Sequence, residues 1–267
     1  MKLPVALTIA GSDSGGGAGI QADLKTFAAL GVHGTTAITA ITAQNTVTVT
    51  AIQELPATLV RAQIDAVVED LAPAAAKTGM LSSAAIIEAV AAAVREHELR
   101  QLVVDPVMVA KGGAKLLRDD AVAALRDALL PLAAVITPNL PEAEVLLGRS
   151  ISGLDEQRRA AHDLVRLGPR AVVVKGGHAE GSEAMDILFD GERELELRAP
   201  RFATANTHGS GCVFSAAITA ELAKGAALEE AVQTAKAFIS AAIEAALELG
   251  RGHGPVNPMF RVNQPLS

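Results

Sequence analysis

Cys212, the only cysteine of the chain, closes the stretch NTHGSGC, where Thr207, Gly209, Ser210 and Gly211 lead directly into an alanine-rich run of helical periodicity. Small, flexible residues at a helix start let successive backbone N–H groups converge on one point, and the positive end of the helix adds to them. Such a cradle suits a polyphosphate. A thiol placed there is either a small packed hydrophobe or, with its pKa lowered by the helix end and nearby cations, a reactive group. A second glycine-rich segment, GSDSGGGAG, runs from Gly11 through Ala18 to Gly19. Gly17-Ala18-Gly19-Ile20-Gln21-Ala22 fits the loose form of a dinucleotide fingerprint, which expects an acidic residue ~20 positions on to hold a ribose hydroxyl. Thr42, Ala43, Gln44 and Asn45 stand there instead. A Walker A loop requires Gly-Lys-Ser/Thr, and no lysine of this chain comes directly after a glycine.

Further polar groups stand at the ends of short apolar runs: Thr78-Gly79-Met80, Asp105-Pro106-Val107, Thr137-Pro138-Asn139 and Lys175-Gly176-Gly177-His178. Each has a purely local reading. Asp105-Pro106 can terminate a strand, and Asn139 can cap a helix beginning at Pro141, with Glu142 favoured near its positive end. Lys236 either reaches toward phosphates or snorkels to solvent. Taken together, their recurrence at strand ends favours a site, because open parallel sheets bind ligands beyond the carboxyl ends of their strands.

The elements that must position these residues alternate. VALTIAG, GTTAITAIT, AAAKTGM, QLVVDPV, AAVITPN and AVVVKGG read as strands, interleaved with helical patterns near 20–30, 59–71, 83–97, 119–129 and 156–167. Near-continuous Val, Ile, Leu and Ala in the strands implies a parallel sheet covered on both faces, an α/β, doubly wound, three-layer architecture. AMDILFDGERELELRAPR reads as an added hairpin turning at Asp190-Gly191, and helices near 211–224 and 228–249 close the chain. No linker, repeat or low-complexity tract interrupts the 267 residues, which are read as one domain.

With 50% hydrophobic residues, the chain can bury a substantial core. A net charge of -7 argues against nucleic acid or an anionic membrane as the main partner, and the absence of Trp and Tyr removes base-stacking platforms. One cysteine excludes an internal disulfide framework and fits a reducing, cytoplasmic compartment; the short N-terminal apolar run reads as a first strand.

The motifs AGSDSGGGAGIQADLKT, AQNT, KTGML, VVDPVM, TPNLPEAEVL, VVVKGGH and NTHGSGC, in that order, closely resemble the hydroxymethylpyrimidine/phosphomethylpyrimidine kinase family of thiamin biosynthesis, the ThiD type, within the ribokinase-like superfamily. Ser210 stands where the family more often has Thr, which keeps a hydroxyl. The resemblance covers essentially the whole chain and implies a ribokinase-like fold, ATP and Mg²⁺ as cofactors, and a homodimer. It implies transfer of the ATP γ-phosphoryl group to the hydroxymethyl of 4-amino-5-hydroxymethyl-2-methylpyrimidine, and then a second transfer to give the diphosphate. By similarity, Gln44 pairs with the aminopyrimidine edge, Gly11, Ala18 and Asp23 lie close by, and Met80 and Val107 form apolar walls. Asn139, Lys175, Thr207 and Lys236 face ATP, Asp105 and Glu142 hold Mg²⁺ through water, and the backbone from Gly209 to Cys212 holds the transferring phosphoryl. Sugar kinases of the superfamily carry an aspartate base at the position of Cys212. The thiol is accordingly taken as the base for the acceptor hydroxyl, with positioning of the hydroxymethyl as the alternative. Pyridoxal kinase shares several of these motifs and is the nearest rival; a non-catalytic binding regulator and a dinucleotide oxidoreductase are the others.

Overall fold

The computed structural model describes residues 3–109, 113, 116–176 and 183–261; Gly177 and His178 of the last strand-end motif lie outside them. The apolar runs form strands β1 (Val5–Asp13), β2 (His33–Gln44), β4 (Ala75–Thr78), β5 (Leu102–Val104), β6 (Val135–Ile136) and β7 (Val172–Val174), all parallel to their neighbours in this set. The expected hairpin is β8 (Glu183–Phe189) with β9 (Glu194–Pro200), antiparallel to each other and to β7. The sequence reading missed β3 (Val49–Glu54), which pairs antiparallel with β2. It is an edge strand with no buried residue, so no apolar run announces it. Across the sheet the strands of the described residues lie in the order β3-β2-β1-β4-β5-β6-β7-β8-β9.

Helices cover both faces. α1 (Gly19–Ala29), α7 (Ser210–Ala223) and α8 (Leu228–Glu244) pack on one side, sharing a core that includes Phe27, Val213, Phe214 and Phe238. α2 (Ala57–Leu71), α3 (Ala84–Glu96), α4 (Asp119–Ala124), α5 (Leu140–Leu147) and α6 (Gly153–Val165) cover the other, around Ile64, Ile87, Leu129 and Leu146. The helix read near 119–129 is α only to Ala124. A π turn over Leu125–Leu129 and a 3₁₀ turn over Leu130–Leu132 continue it, the latter carrying Pro131, which has no N–H to extend an α ladder. α8 stops at Glu244, five residues before the expected end. The chain then folds back, with the Leu247 N–H donating to the Pro255 carbonyl and the Asn257 N–H to that of Ala242. α7 differs from the amphipathic surface helices in being buried without a break over residues 213–220. No helix among the described residues is long and apolar enough to cross a membrane.

Candidate active site

β1 lies between β2 and β4, so the chain leaves it first in one direction along the sheet and later in the other. A crevice opens at such a switch point, and here it is a cavity of about 540 Å³, within the range that holds a small-molecule ligand. The expected residues Gly11, Ala18, Gln44, Met80, Val107, Asp105, Asn139, Glu142, Lys175, Thr207, Gly209, Ser210, Gly211 and Cys212 all line it.

Gly209 lets the two glycine-rich segments meet, and Gly19 lets the first fold back on itself. Gly209 has φ +78°, and a Cβ on it would stand 1.9 Å from the Gly17 carbonyl oxygen; Gly19 has φ +55°, and a Cβ there would stand 2.3 Å from the Gly11 oxygen. Only glycine tolerates both the left-handed backbone and the contact. The start of α7 is thereby pressed against the loop after β1. α7 has Gly209 as its N-cap and no side-chain cap, so its first turn faces the cavity without a competing side-chain acceptor.

The charged wall stands beside it. A Cβ on Gly211 would be 3.3 Å from Lys175 Nζ and 3.5 Å from Asp105 Oδ2, which places both side chains against the first turn of α7. Asp105, at the end of β5, accepts from Lys175 Nζ at 3.1 Å, Thr137 Oγ1 at 3.3 Å and Ser215 Oγ at 3.3 Å. Burial would lower the Lys175 ammonium, but Asp105 and Glu142 outweigh it and hold its pKa above the usual lysine value. Asn139 and Glu142 form a full capping box for α5, Asn139 Oδ1 accepting from the Glu142 N–H at 2.9 Å and Glu142 Oε2 from the Asn139 N–H at 2.8 Å. Capping does not remove Glu142 from the cavity. Burial pushes its carboxyl up to about 7, opposed by Lys175 and reinforced by Asp105.

Three expectations change. Asp23 is fully buried and does not line the cavity; its Oδ1 accepts from Lys77 Nζ at 2.7 Å and its Oδ2 from Thr8 Oγ1 at 2.6 Å. Asp23 keeps the equally buried Lys77 protonated, since its charge, with that of Asp105, outweighs the burial that opposes the ammonium. Lys236 also stays off the cavity lining: it donates to Asp186 Oδ2 at 2.7 Å and to the Ala184 carbonyl at 3.1 Å, and Asp186 in turn accepts from the Gly176 N–H. Neither lysine snorkels, because each has a buried counter-charge. The Cys212 thiol is not lowered but pushed up to about 12; burial dominates, Lys77 pulls the other way, and Asp23 and Asp105 add to the rise.

Three ionisable residues described at the site went unassigned in the sequence: Asp13, Lys77 and His208, all of which line the cavity. Each stands inside a quoted motif. Lys77, set among the apolar residues of AAAKTGM with Asp23 a chain segment away, was the most legible of them.

The comparisons with known proteins bear on this geometry. Residues 13–257 match the phosphomethylpyrimidine kinase family. A hydroxymethylpyrimidine/phosphomethylpyrimidine kinase of Rhizobium meliloti is 57% identical to the chain, covering 96% of it and 97% of the relative. The chain belongs to the phosphomethylpyrimidine kinase family. Among solved structures, phosphomethylpyrimidine kinase from Clostridium difficile 630 is 45% identical, with TM-score 0.80 over 90% of this chain and 99% of that one. The ADP complex of Bacillus subtilis pyridoxal kinase is 43% identical, with TM-score 0.92 over 98% of this chain and 100% of that one. The chain thus shares its α/β scaffold with both phosphomethylpyrimidine kinases and pyridoxal kinases.

Proposed function

We propose that this kinase transfers the γ-phosphoryl group of ATP to the hydroxymethyl of 4-amino-5-hydroxymethyl-2-methylpyrimidine, and then a second one to the resulting monophosphate, both in the cavity between β1 and α7. The observation that carries the proposal is the convergence of the uncapped start of α7 with Lys175 and Asp105, in a cavity also lined by an amide, Gln44, and the apolar side chains of Met80 and Val107. Phosphoryl transfer asks for in-line positioning and electrostatic stabilisation more than for covalent chemistry.

In this reading Gln44 offers an acceptor and a donor in one plane to the aminopyrimidine edge, with Gly11 and Ala18 close by. A Cβ on Gly11 would stand 3.1 Å from Met80 Sδ, so the bare backbone there keeps the wall flat for a ring. Asn139, Lys175 and Thr207 face the nucleotide, and the backbone N–H groups from Gly209 to Cys212 receive the transferring phosphoryl. Asp105 and Glu142 fit a divalent cation: they are hard oxygen donors, both buried, and burial with the neighbouring charge of Asp105 already keeps Glu142 from ionising freely. Asp105 and Glu142 would hold Mg²⁺ there, and the ion would neutralise charge on the phosphates.

With its thiol pushed up to about 12, Cys212 keeps its proton at neutral pH and positions the hydroxymethyl by contact. The acceptor proton then leaves to a phosphoryl oxygen, late in a loose transition state. The higher TM-score to a pyridoxal kinase favours a second reading in which pyridoxal is the acceptor. A phosphate-transfer assay with Mg-ATP and, in turn, the hydroxymethylpyrimidine, its monophosphate and pyridoxal separates them. Turnover of both pyrimidines at a kcat/KM well above that of pyridoxal is expected, and a preference for pyridoxal would overturn the main reading.

A further inference from the structure

Asp13 gathers four hydrogen bonds. Its Oδ1 accepts from the Gly15 N–H at 2.8 Å, and its Oδ2 from the Gly17 N–H at 3.1 Å, the Ala18 N–H at 2.9 Å and His208 Nε2 at 2.9 Å. Burial would raise this carboxyl, but the bonds from His208 and the loop backbone outweigh it and hold it below the usual value. An ionised carboxylate only accepts, so His208 Nε2 carries a proton and donates it. The side-chain nitrogen of Gln44 lies 3.4 Å from that same Nε2, and its oxygen 3.2 Å from Thr42 Oγ1, which already donates to the Ser12 carbonyl at 2.8 Å. In that placement two donors face each other at His208, and the single Thr42 proton is divided between two acceptors. Exchanging the amide's ends, which have the same shape, removes the donor-to-donor clash and leaves the Thr42 proton to the Ser12 carbonyl; the His208 Nε2–H is then shared, mainly with Asp13 Oδ2 at 2.9 Å and more weakly with Gln44 at 3.4 Å.

We propose that Asp13 and His208 are positioning residues that set the orientation of the Gln44 amide, with Oε1 toward His208 Nε2–H and the NH₂ group toward Thr42 Oγ1. The proposal rests on the reading of Gln44 as the pyrimidine contact. With the amide so held, the remaining lone pair and the remaining N–H of Gln44 present a fixed donor and acceptor order to the ring, so a ring with the complementary order binds and one with the reverse order meets like against like. The device is built tightly. A Cβ on Gly17 would come within 2.5 Å of His208 Cδ2, while the His208 N–H and carbonyl are tied to Gly254 and Val256. The imidazole cannot tilt away without dismantling the loop after β1, and its own backbone leads directly into Gly209 of the phosphate cradle.

The test is a set of Michaelis constants for the hydroxymethylpyrimidine and for ATP in the wild type, Gln44→Leu, His208→Leu and the double variant. His208→Leu is expected to raise the pyrimidine KM about tenfold, as for an unpaired buried partner, with the ATP KM within about twofold, and to add nothing in the Gln44→Leu background. His208→Gln, which keeps an N–H within reach of Asp13, should restore the pyrimidine KM to within about threefold of wild type. Thr42→Val leaves the Asp13 to His208 contact in place and should show the same dependence on Gln44, which keeps the test open if His208→Leu does not fold. Equal factors from His208→Leu or Thr42→Val with and without Gln44, or no effect on the pyrimidine KM, would overturn the proposal. An unchanged pyrimidine KM in Gln44→Leu alone would instead remove the reading of Gln44 on which it rests.

Discussion

Lys175 Nζ stands 3.1 Å from Asp105 Oδ1, beside the first turn of α7. The lysine brings positive charge to the cavity wall, and the carboxylate keeps that charge compatible with burial. Asp105→Asn removes the compensation while preserving shape. We expect a loss of about 1–3 kcal/mol of stability, from a weakened buried hydrogen-bond set, and a fall in turnover partly relieved by high Mg²⁺. Thermal melts paired with turnover per folded molecule check this. Unchanged turnover with a large loss of stability would reduce Asp105 to a strand terminator.

Glu142 makes stability depend on pH. Its carboxyl titrates at about 7 in the folded chain against an ordinary value of 4.5. Between those values the unfolded chain has released the proton and the folded chain has not, so stability falls as pH rises through that window, by about 3 kcal/mol at most. Glu142→Gln keeps an oxygen to accept from the Asn139 N–H and should flatten the dependence. Urea midpoints from pH 5 to pH 8 compare the two proteins; parallel curves would show that another group is responsible.

Cys212 separates positioning from base catalysis. A thiol that stays protonated should react slowly with iodoacetamide at pH 7.5, at least about tenfold more slowly than an unperturbed cysteine. Cys212→Ser, which keeps a neutral donor of similar size, should retain turnover within about tenfold, whereas loss of a general base costs ~10²-fold or more. A serine variant crippled to that degree would restore the thiolate reading.

Asp23 tests what burial alone decides. Asp23→Asn leaves the Lys77 ammonium buried without its counter-ion, and we expect about 3–5 kcal/mol of destabilisation in urea titrations. The pyrimidine KM of the folded fraction should stay within about twofold, because Asp23 does not reach the cavity lining. A raised KM at unchanged stability would return Asp23 to the substrate.

Much of the site was legible because strand ends in a parallel sheet advertise themselves. Asp105, Asn139 and Lys175 each stand at the carboxyl end of an apolar run, and the cradle from Gly209 to Cys212 is marked by its glycines. Residue type did not reveal partners. Asp23 and Lys236 look like ligand contacts until Lys77 and Asp186 are seen to neutralise them, and these pairings span 54 and 50 positions of the chain. The pKa of Cys212 was misjudged for a related reason: the helix end was visible in sequence, whereas the depth of burial and the nearby carboxylates of Asp23 and Asp105 were not. β3 escaped because its residues face solvent and leave no hydrophobic period to read.

The unbroken burial of α7 over residues 213–220 constrains how a scaffold of this kind can diversify. A helix packed on every side cannot slide or rotate to meet a new acceptor, since each small residue along it gauges the distance to a neighbour. On the proposed assignment, the half of the cavity that takes the phosphate donor is therefore anchored, and drift toward other alcohols is accommodated across it, around Gln44, Met80 and Val107. Libraries aimed at a new acceptor would do well to vary those three positions and leave the interior of α7 alone.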